Sequence, residues 1–537
     1  MGTSDLNTPS LSRTHPMRDI SRLFLVHVAT SIALAASTHG CGTSSAGVLL
    51  GSIFDAGSSP DTGPATGSAV SSPDASSANG SEISGSVVAI SNTPPPSPRI
   101  CTATGSCVST CGNAGETTIS GTVFDPRGRD PLYDVAVFVP SITPNPIAVG
   151  ASCGSCEEVY SGNPITSALT DPSGHFQLAN VPDGADVPLV VQVGKWRMQF
   201  VIPSVLPCTD NPIPDGTLHL PRNQMEGDIP NIAISTGGAD SIECLFQRVG
   251  IDPTEFVGGS GGKGRIHIYA GSPQDQSYPA NTSPPGPASY TALWDSVADL
   301  MQFDVVVLSC EGAETLHMRQ QNLLDYVNSG GRVFASHYHY AWFIDGPFAQ
   351  DDVATWSRGT DDDDVAAVVE TTYMGSPFPK GQAMHDWLGN VGALVDDELP
   401  ILQARHNADI GPANEPASVP WITSDTAPYS AGANMYFSFD TPVRSVSGGD
   451  GGAASKCGRV VFSDMHVGGA SGDYEQATFS TQGFGRESLG AVVPSDCADN
   501  PLSPQEQALE FMIFDIATCA ADAKAIPLPP VSAESIR

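Results

Sequence analysis

The pattern of apolar and polar residues changes near residue 228. From residue 117 to about residue 220, short runs rich in β-branched residues alternate with turns, as where the runs 119–124 and 135–139 flank the turn Asp125-Pro126-Arg127-Gly128. Short strands at this spacing, punctuated by Gly and Pro and lacking a helical period, are typical of antiparallel β-sandwiches. The sequence therefore predicts a small all-β sandwich over residues 99–226.

Beyond residue 228, apolar runs alternate with segments of helical period. The apolar runs are 229–235, 265–269, 304–309 and 332–336. This alternation predicts a parallel sheet with helices on both faces, that is, an α/β domain over residues 227–522. Residues 341–435 are rich in Pro and poorly periodic, so we expect an insertion that caps the sheet edge. A closing helix over 503–518 is expected to start with a capping box formed by Ser503 and Glu506.

Polar residues follow the predicted strands at the point where each strand ends. Ligands of open parallel sheets bind beyond the carboxyl ends of the strands, so these residues are the functional candidates. They are Asp240, Cys310, Glu311, His337, Tyr338, His339, Asp464 and His466. The sequence therefore predicts that three histidines and several carboxylates converge at one edge of the sheet.

The first interpretation of this edge is a metal or hydrolytic centre. Imidazoles and carboxylates bind divalent metal ions, and a base such as His466, held by Asp464, would act on water. Residues two apart on a strand share a face, which makes His337 and His339 a suitable pair if the strand continues. A divalent metal is thus the candidate cofactor. The candidate ligands are His337, His339, Asp464 and His466, and the candidate catalytic residues are His337, Asp464, His466 and Glu311.

Two other interpretations stay open. Tyr338 and Trp342 follow the fourth strand and, together with a carboxylate such as Asp240, suit a carbohydrate pocket. Alternatively, the histidines and aromatic residues fill a loop-rich cap and have only a structural role. The sequence favours a binding or structural protein that recognises carbohydrate at this edge, with a hydrolase as the alternative, and does not decide whether the chain is an enzyme.

The first folded region resembles a known family. The segments 119–123, 131–139, 170–176 and 180–184 are similar to the carboxypeptidase regulatory-like, prealbumin-type β-sandwich. That resemblance implies a structural or interaction module without a peptidase site.

The second region resembles the ThuA-like branch of the class I glutamine amidotransferase-like fold. In residues 325–337 a helix ends in Gly-Gly and the next strand leads into His337, and the segments 303–308 and 458–466 also fit. The resemblance implies a flavodoxin-like parallel sheet. Amidotransferases carry a nucleophilic Cys where His337 stands here, so glutamine hydrolysis by that route is not expected. Some similar chains carry the name tryptophan synthase alpha chain, but the export signal and strand count do not suit its (β/α)8 barrel.

The N-terminal sequence predicts export. Arg18 and Arg22 precede an apolar stretch at residues 23–36, which suits a signal peptide and is shorter than the roughly 20 residues of a membrane span. Cys41 then follows a small residue, as in the lipobox of bacterial lipoproteins. We interpret residues 1–41 as a signal peptide with a lipidation site, translated from Met1 or Met17.

The expected location follows from the same region. Residues 42–98 form a low-complexity linker, and residues 523–537 are expected to be a disordered tail. The protein would then be extracytoplasmic, either secreted or lipid-anchored to the cell envelope. It would contact the membrane only through Cys41, and an envelope glycan or protein is a candidate partner.

The charge balance excludes one class of partner. The chain has 23 Lys and Arg against 58 Asp and Glu, for a net charge of −35, and the bases are not clustered. Such a chain cannot neutralise a row of phosphates. We therefore expect no nucleic-acid partner.

Twelve cysteines in an exported chain predict disulfides. If Cys41 is lipidated, eleven remain, so at least one thiol stays free or pairs outside the chain. We expect pairing within each folded region. The disulfide candidates are Cys153, Cys156, Cys497 and Cys519.

Overall fold

The computed structural model describes residues 101–517 apart from 104, 154–159, 238, 272–287, 316–318, 350, 415–416, 426–432, 444–455 and 467–500. The predicted signal peptide, linker and C-terminal tail lie outside the described residues. So do four of the cysteines discussed above, Cys41, Cys156, Cys497 and Cys519. The described residues all belong to one unit, Thr93–Arg537, and form a β-sandwich followed by an α/β domain.

Nine strands form the β-sandwich. They are β1 (Thr118–Phe124), β2 (Ala136–Pro140), β3 (Pro164–Leu169), β4 (His175–Leu178), β5 (Gly184–Val193), β6 (Trp196–Val205), β7 (Asp210–Pro212), β8 (Leu218–His219) and β9 (Gly227–Asp228). One sheet has the order β4-β1-β7, with β8 also paired to β1, and the other has the order β3-β2-β5-β6-β9. Ile119 of the first sheet and Leu189 and Val191 of the second are fully buried in one core. This agrees with the predicted sandwich, although β7 and β8 pair with β1 in parallel.

A single mixed sheet forms the centre of the α/β domain. Its strands and the accompanying hairpin are β10 (Ile232–Ser235), β11 (Phe256–Gly258), β12 (Ile266–Tyr269), β13 (Val305–Leu308), β14 (Arg332–Ser336), β15 (Thr355–Trp356), β16 (Asp361–Val369), β17 (Thr372–Tyr373), β18 (Ser376–Pro377), β19 (Leu399–Arg405), β20 (Ala408–Asp409), β21 (Ser418–Ser424), β22 (Ala433–Thr441) and β23 (Gly458–Ser463). The main order is β11-β12-β10-β13-β14-β23-β22-β21-β16-β19. Neighbours are parallel from β11 to β23 and antiparallel from β23 to β19.

The antiparallel half corrects the expectation of a purely parallel sheet. Residues 341–435, expected to cap the sheet edge, contribute β16, β19 and β21 to the sheet itself. Prolines in β19 and β21 make these two strands hard to predict from the sequence, because Pro lacks the N–H that a sheet interior requires. Pro400 lies on β19, at the end of the strand order, and Pro420 lies where the register between β21 and β22 shifts.

Helices cover both faces of the sheet, as predicted. They are α1 (Ile242–Arg248), α2 (Tyr290–Trp294), α3 (Val297–Leu300), α4 (Gln321–Asn328), α5 (Ala341–Ile344), α6 (Pro379–Asn390) and α7 (Pro504–Ala517). Residues of α1, α6 and α7 share one core cluster with the sandwich, whereas residues of α2 to α5 belong to a second cluster. No described helix is both long and apolar enough to cross a membrane.

Helix α7 joins the sandwich to the α/β domain. Twelve of its residues, from Gln505 to Ile516, are buried. The ring of Phe514 contacts that of Trp196 in the sandwich, with centroids 5.7 Å apart. The ring of Phe511 stacks on that of Tyr133 at 5.8 Å. The two domains therefore share one apolar core.

The capping box predicted for α7 is present. The backbone N–H of Ser503 donates to Glu506 Oε2 at 2.8 Å, and the backbone N–H of Glu506 donates to Ser503 Oγ at 3.3 Å. We expect the Ser503→Ala variant to lose about 1 kcal/mol of unfolding free energy, because one N-terminal N–H of the helix loses its acceptor. Ser503→Thr keeps the hydroxyl and is the matched control in urea denaturation. Equal midpoints for both variants would contradict the prediction.

Three disulfides join described residues: Cys101–Cys107, Cys111–Cys208 and Cys153–Cys457. Cys244 is disulfide-bonded as well. The Cys153–Cys457 bond links the sandwich to the residue before β23, so the expectation of pairing within each region is wrong for this pair. The cause is that the segment around Cys153 packs on the α/β domain, where Ala151 N–H donates to the Met301 carbonyl at 3.0 Å.

Candidate metal centre

Three side chains meet at the carboxyl edge of the parallel strands. Cys310 follows β13, His337 follows β14 and His466 follows β23, and these three strands are neighbours in the sheet. One potential ligand atom from each side chain lies within 4.8 Å of the other two. The residues are 0%, 2% and 7% exposed, respectively, so the group is buried. The predicted convergence at this edge is thus present for His337 and His466.

The backbone at His337 turns sharply. Strand β14 ends at Ser336, and His337–Tyr340 forms a 3₁₀ helix in which His337 has a φ of 50°. A non-glycine residue in the left-handed region is uncommon, and such residues cluster at functional sites. Because the strand does not continue, His337 and His339 do not share a strand face, and that part of the expectation is wrong.

Hydrogen bonds orient the two imidazoles. His337 Nδ1 lies 3.5 Å from Cys310 Sγ, and the two imidazole rings of His337 and His466 have centroids 3.9 Å apart. His466 Nδ1 lies 3.0 Å from the Ala239 carbonyl oxygen and 3.5 Å from Asp240 Oδ1. A proton on Nδ1 satisfies these acceptors and leaves Nε2 with its lone pair, which is the tautomer that binds metals.

A loop between β10 and α1 closes over the end of β13. Ala239 N–H donates to the Cys310 carbonyl at 3.1 Å. A Cβ at Gly237 would lie only 2.0 Å from the same carbonyl oxygen, so this close approach requires glycine. Asp240 is fixed in turn, because Ser336 Oγ donates to its Oδ2 at 2.9 Å.

Burial determines the protonation of the site. Burial, and then the charge of Asp240, raise the pKa of the Cys310 thiol. Burial, and then the neighbouring His466, lower the pKa of His337 well below its usual range. At neutral pH the unliganded site therefore holds a thiol beside a neutral imidazole, which disfavours a free thiolate nucleophile.

Asp464 does not join the group. Its Oδ2 accepts from the backbone N–H groups of Asn407 at 2.5 Å and Ala408 at 3.2 Å, and its Oδ1 accepts from Asn407 Nδ2 at 2.5 Å. Burial raises the pKa of Asp464 to about 8, although these hydrogen bonds lower it. Asp464 therefore anchors the turn after β19, and Asp240, not Asp464, is the carboxylate beside His466.

Glu311 and His339 lie next to the group without forming part of it. His339 Nε2 is 4.0 Å from Glu311 Oε1, and both side chains are almost fully buried. Thr315 Oγ1 donates to Glu311 Oε2 at 2.5 Å, and His339 Nδ1 lies 3.2 Å from the Ser336 carbonyl oxygen. These contacts make them a second polar pair at the same edge.

The aromatic residues of the carbohydrate interpretation are mostly part of the core. Trp342 is 1% exposed and its ring centroid lies 5.0 Å from that of Trp294. Tyr338 is half-buried, and the Arg405 guanidinium lies 4.6 Å from the centroid of its ring. Trp342 therefore has no free face on which a sugar could stack.

Cys310 is the site residue whose role the sequence did not reveal. The strand-end rule names it, but twelve cysteines in an exported chain point first to disulfides. In the structure it is a free, buried cysteine. Cys310 follows the buried strand β13, and the next two strands of the sheet lead to His337 and His466, which was the available signal.

No protein-family profile and no curated protein matches the chain. Solved structures give partial alignments. A protein from Bacteroides uniformis described as ThuA-like aligns at 9% identity and a TM-score of 0.24, over 44% of this chain and 81% of its own. A cytoplasmic protein from Salmonella typhimurium aligns at 10% identity and a TM-score of 0.23, over 46% and 93%. A cohesin–X-dockerin complex chain from Acetivibrio cellulolyticus aligns at 14% identity and a TM-score of 0.14, over 23% and 78%. At these TM-scores the alignments do not assign a family.

Proposed function

We propose that the α/β domain binds a zinc-type divalent ion through Cys310, His337 and His466. The observation that carries the proposal is the 3.5 Å separation of Cys310 Sγ and His337 Nδ1. A tetrahedral zinc ion, with bonds of about 2.3 Å to sulfur and about 2.0 Å to nitrogen, would hold its ligand atoms roughly 3.5 Å apart. A thiolate with two imidazoles is also a ligand set that zinc accepts.

Metal-dependent hydrolysis is the reaction that this centre would support. Three protein ligands leave one position of a tetrahedral ion for water, and a metal ion lowers the pKa of bound water so that it attacks at neutral pH. The Glu311 and His339 pair at the same edge offers a carboxylate and an imidazole for proton transfer. Asp240 would hold His466 in its ligand tautomer.

We further propose that the protein is exported and lipid-anchored at Cys41. Disulfides persist in oxidising compartments, and three join described residues. The motif resemblances support a carboxypeptidase regulatory-like sandwich carrying a ThuA-like head of amidotransferase-like fold. Those resemblances, and not the structural alignments, are the basis of this part of the proposal.

Elemental analysis of the purified full-length protein tests the metal proposal. We expect about one equivalent of zinc per chain in the wild type after dialysis against zinc and then metal-free buffer. The His337→Ala and Cys310→Ser variants should each lose most of it, because two ligands of this kind bind far more weakly than three. His175→Ala removes an exposed imidazole on β4 of the sandwich and should retain the metal.

Two results would overturn the proposal. One is a wild-type protein that is correctly folded and carries no stoichiometric metal. The other is metal content that is equal in all four proteins, since the ion would then bind elsewhere. Circular dichroism of each variant confirms that lost metal reflects a lost ligand and not unfolding. Hydrolysis of model esters with and without zinc then tests the catalytic part separately.

A further inference from the structure

A second group of potential ligands lies between the sandwich and α7. Asp125 and Asp130 come from the turn after β1, and Glu510 comes from the middle of α7. One carboxylate oxygen from each lies within 4.8 Å of the other two. Asp125 is 1% exposed, Glu510 is 0% exposed and Asp130 is half-buried.

Glu510 has unsatisfied hydrogen-bonding capacity. Neither of its carboxylate oxygens accepts a hydrogen bond from an N–H or hydroxyl group of the described residues. The hydrogen bond available to it is a proton shared with the Asp130 carboxyl. Burying an ionised carboxylate without hydrogen-bond donors costs free energy, so such a group indicates either a protonated carboxyl or a bound cation.

Hydrogen bonds also fix the turn that carries Asp125 and Asp130. Asp125 Oδ1 accepts from the backbone N–H groups of Arg129 at 2.7 Å and Asp130 at 3.3 Å, which fixes the carboxylate. Asp125 N–H donates to the Asp130 carbonyl at 2.8 Å and closes the turn. The Asp125 carboxylate and the Asp130 backbone are thereby held in place before any ion binds.

We propose that Asp125, Asp130 and Glu510 bind a calcium ion that fastens α7 to the sandwich. Calcium takes oxygen ligands at about 2.3 to 2.6 Å, so opposite ligands lie roughly 4.6 to 5.2 Å apart. That distance is the maximum for two ligands of one ion, and the three oxygens, which all lie within 4.8 Å of one another, satisfy it. Magnesium requires about 2.0 to 2.1 Å and near-ideal octahedral geometry, which a turn and a helix from two domains supply less readily.

A neighbouring cavity provides access for the ion and its waters. A cavity of about 260 Å³ is lined by Asp125 and Asp130, together with residues at the start of α7 such as Pro504. Arg127, Arg129 and Arg248 also line it. Arg248 is paired with Glu506, so its charge is already balanced. Although these arginines line the cavity, the three carboxylates of Asp125, Asp130 and Glu510 make the ion site itself anionic.

Thermal unfolding of the full-length protein tests the proposal. Millimolar calcium should raise the Tm of the wild type by roughly 5 °C relative to EGTA, because the ion binds only the folded state. Magnesium should have a much smaller effect. The Glu510→Gln variant should lose the calcium response while remaining at least as stable as the wild type in EGTA, since its neutral amide can donate to the neighbouring carboxylates.

Controls separate this site from the proposed zinc centre. Asp130→Asn should also lose the response, and it lies at a half-buried position where folding tolerates the change. Asp397→Asn neutralises a carboxylate whose side chain is 81% exposed and should keep the full response. The Cys310→Ser variant should respond to calcium as the wild type does, whether or not zinc binds at Cys310.

Two results would contradict the calcium proposal. An unchanged wild-type Tm in calcium would overturn the proposal and leave a proton shared by Asp130 and Glu510 as the explanation of the buried carboxylate. A response that survives in both Glu510→Gln and Asp130→Asn would also overturn it, because the ion would then bind at another site.

Discussion

Replacing Phe511 with alanine should lower the free energy of unfolding by about 3 to 5 kcal/mol, which is the usual range for a buried Phe. Phe511 lies on α7 and is 5% exposed. Its ring centroid is 5.8 Å from that of Tyr133 in the sandwich, 5.7 Å from Trp387 on α6 and 6.3 Å from Trp421 on β21. A cavity at this position would remove contacts from both domains at once.

Chemical denaturation followed by tryptophan fluorescence and by circular dichroism measures this effect. Leu206→Ala is the matched control, because Leu206 is 60% exposed and its truncation should change stability by less than about 0.5 kcal/mol. If the two domains share one core, both probes should report a single transition that Phe511→Ala shifts as a whole. Two transitions, of which only one moves, would show that the sandwich folds independently of α7.

Local pattern was sufficient to predict much of the fold. The strands β10, β12, β13 and β14 correspond to apolar runs that are bounded by turns or helices, and the helix α7 starts at the predicted capping box. These features depend on residues close together in the sequence. The sequence did not predict the antiparallel strands β19 and β21. Pro400 and Pro420 are residues typical of loops, and these strands pair with residues distant in the sequence.

The candidate site was predictable only in part, for a related reason. His337 and His466 follow from the rule that the carboxyl ends of parallel strands meet at one edge. The direction of a side chain beyond the strand end depends on the next turn, and at His337 that turn has a positive φ. Asp464 illustrates the same limit, since Asn407, which donates to its carboxylate, lies 57 residues away in the sequence.

Local sequence pattern does not predict the contacts between the two domains. The segment around Cys153 leaves the sandwich and packs on the α/β domain, where Lys195 Nζ donates to the Gly150 carbonyl at 2.7 Å and to Asp304 Oδ1 at 2.5 Å. Asp304 immediately precedes β13, the strand that leads to Cys310. The sandwich therefore supports the amino end of the same strand whose carboxyl end carries the candidate metal ligand.

The disulfide that links the two domains, Cys153–Cys457, should contribute more stability than the short-range Cys101–Cys107 bond. Cys153 and Cys457 are 304 residues apart, whereas Cys101 and Cys107 are 6 apart. In the chain-entropy description, a cross-link restricts the unfolded chain more as the closed loop lengthens, which gives about 5.7 kcal/mol for the first bond and about 2.2 kcal/mol for the second. The Cys153→Ser/Cys457→Ser double variant should therefore be the less stable of the two matched double variants by about 3.5 kcal/mol.

Guanidinium denaturation under oxidising conditions compares the two double variants directly. Substituting both cysteines of each pair leaves neither partner behind as a new unpaired thiol. A reducing buffer that opens all disulfides should abolish the difference, because both unfolded chains then have the same freedom. Equal stability of the two variants under oxidising conditions would show that the Cys153–Cys457 bond does not restrict the unfolded chain over this length.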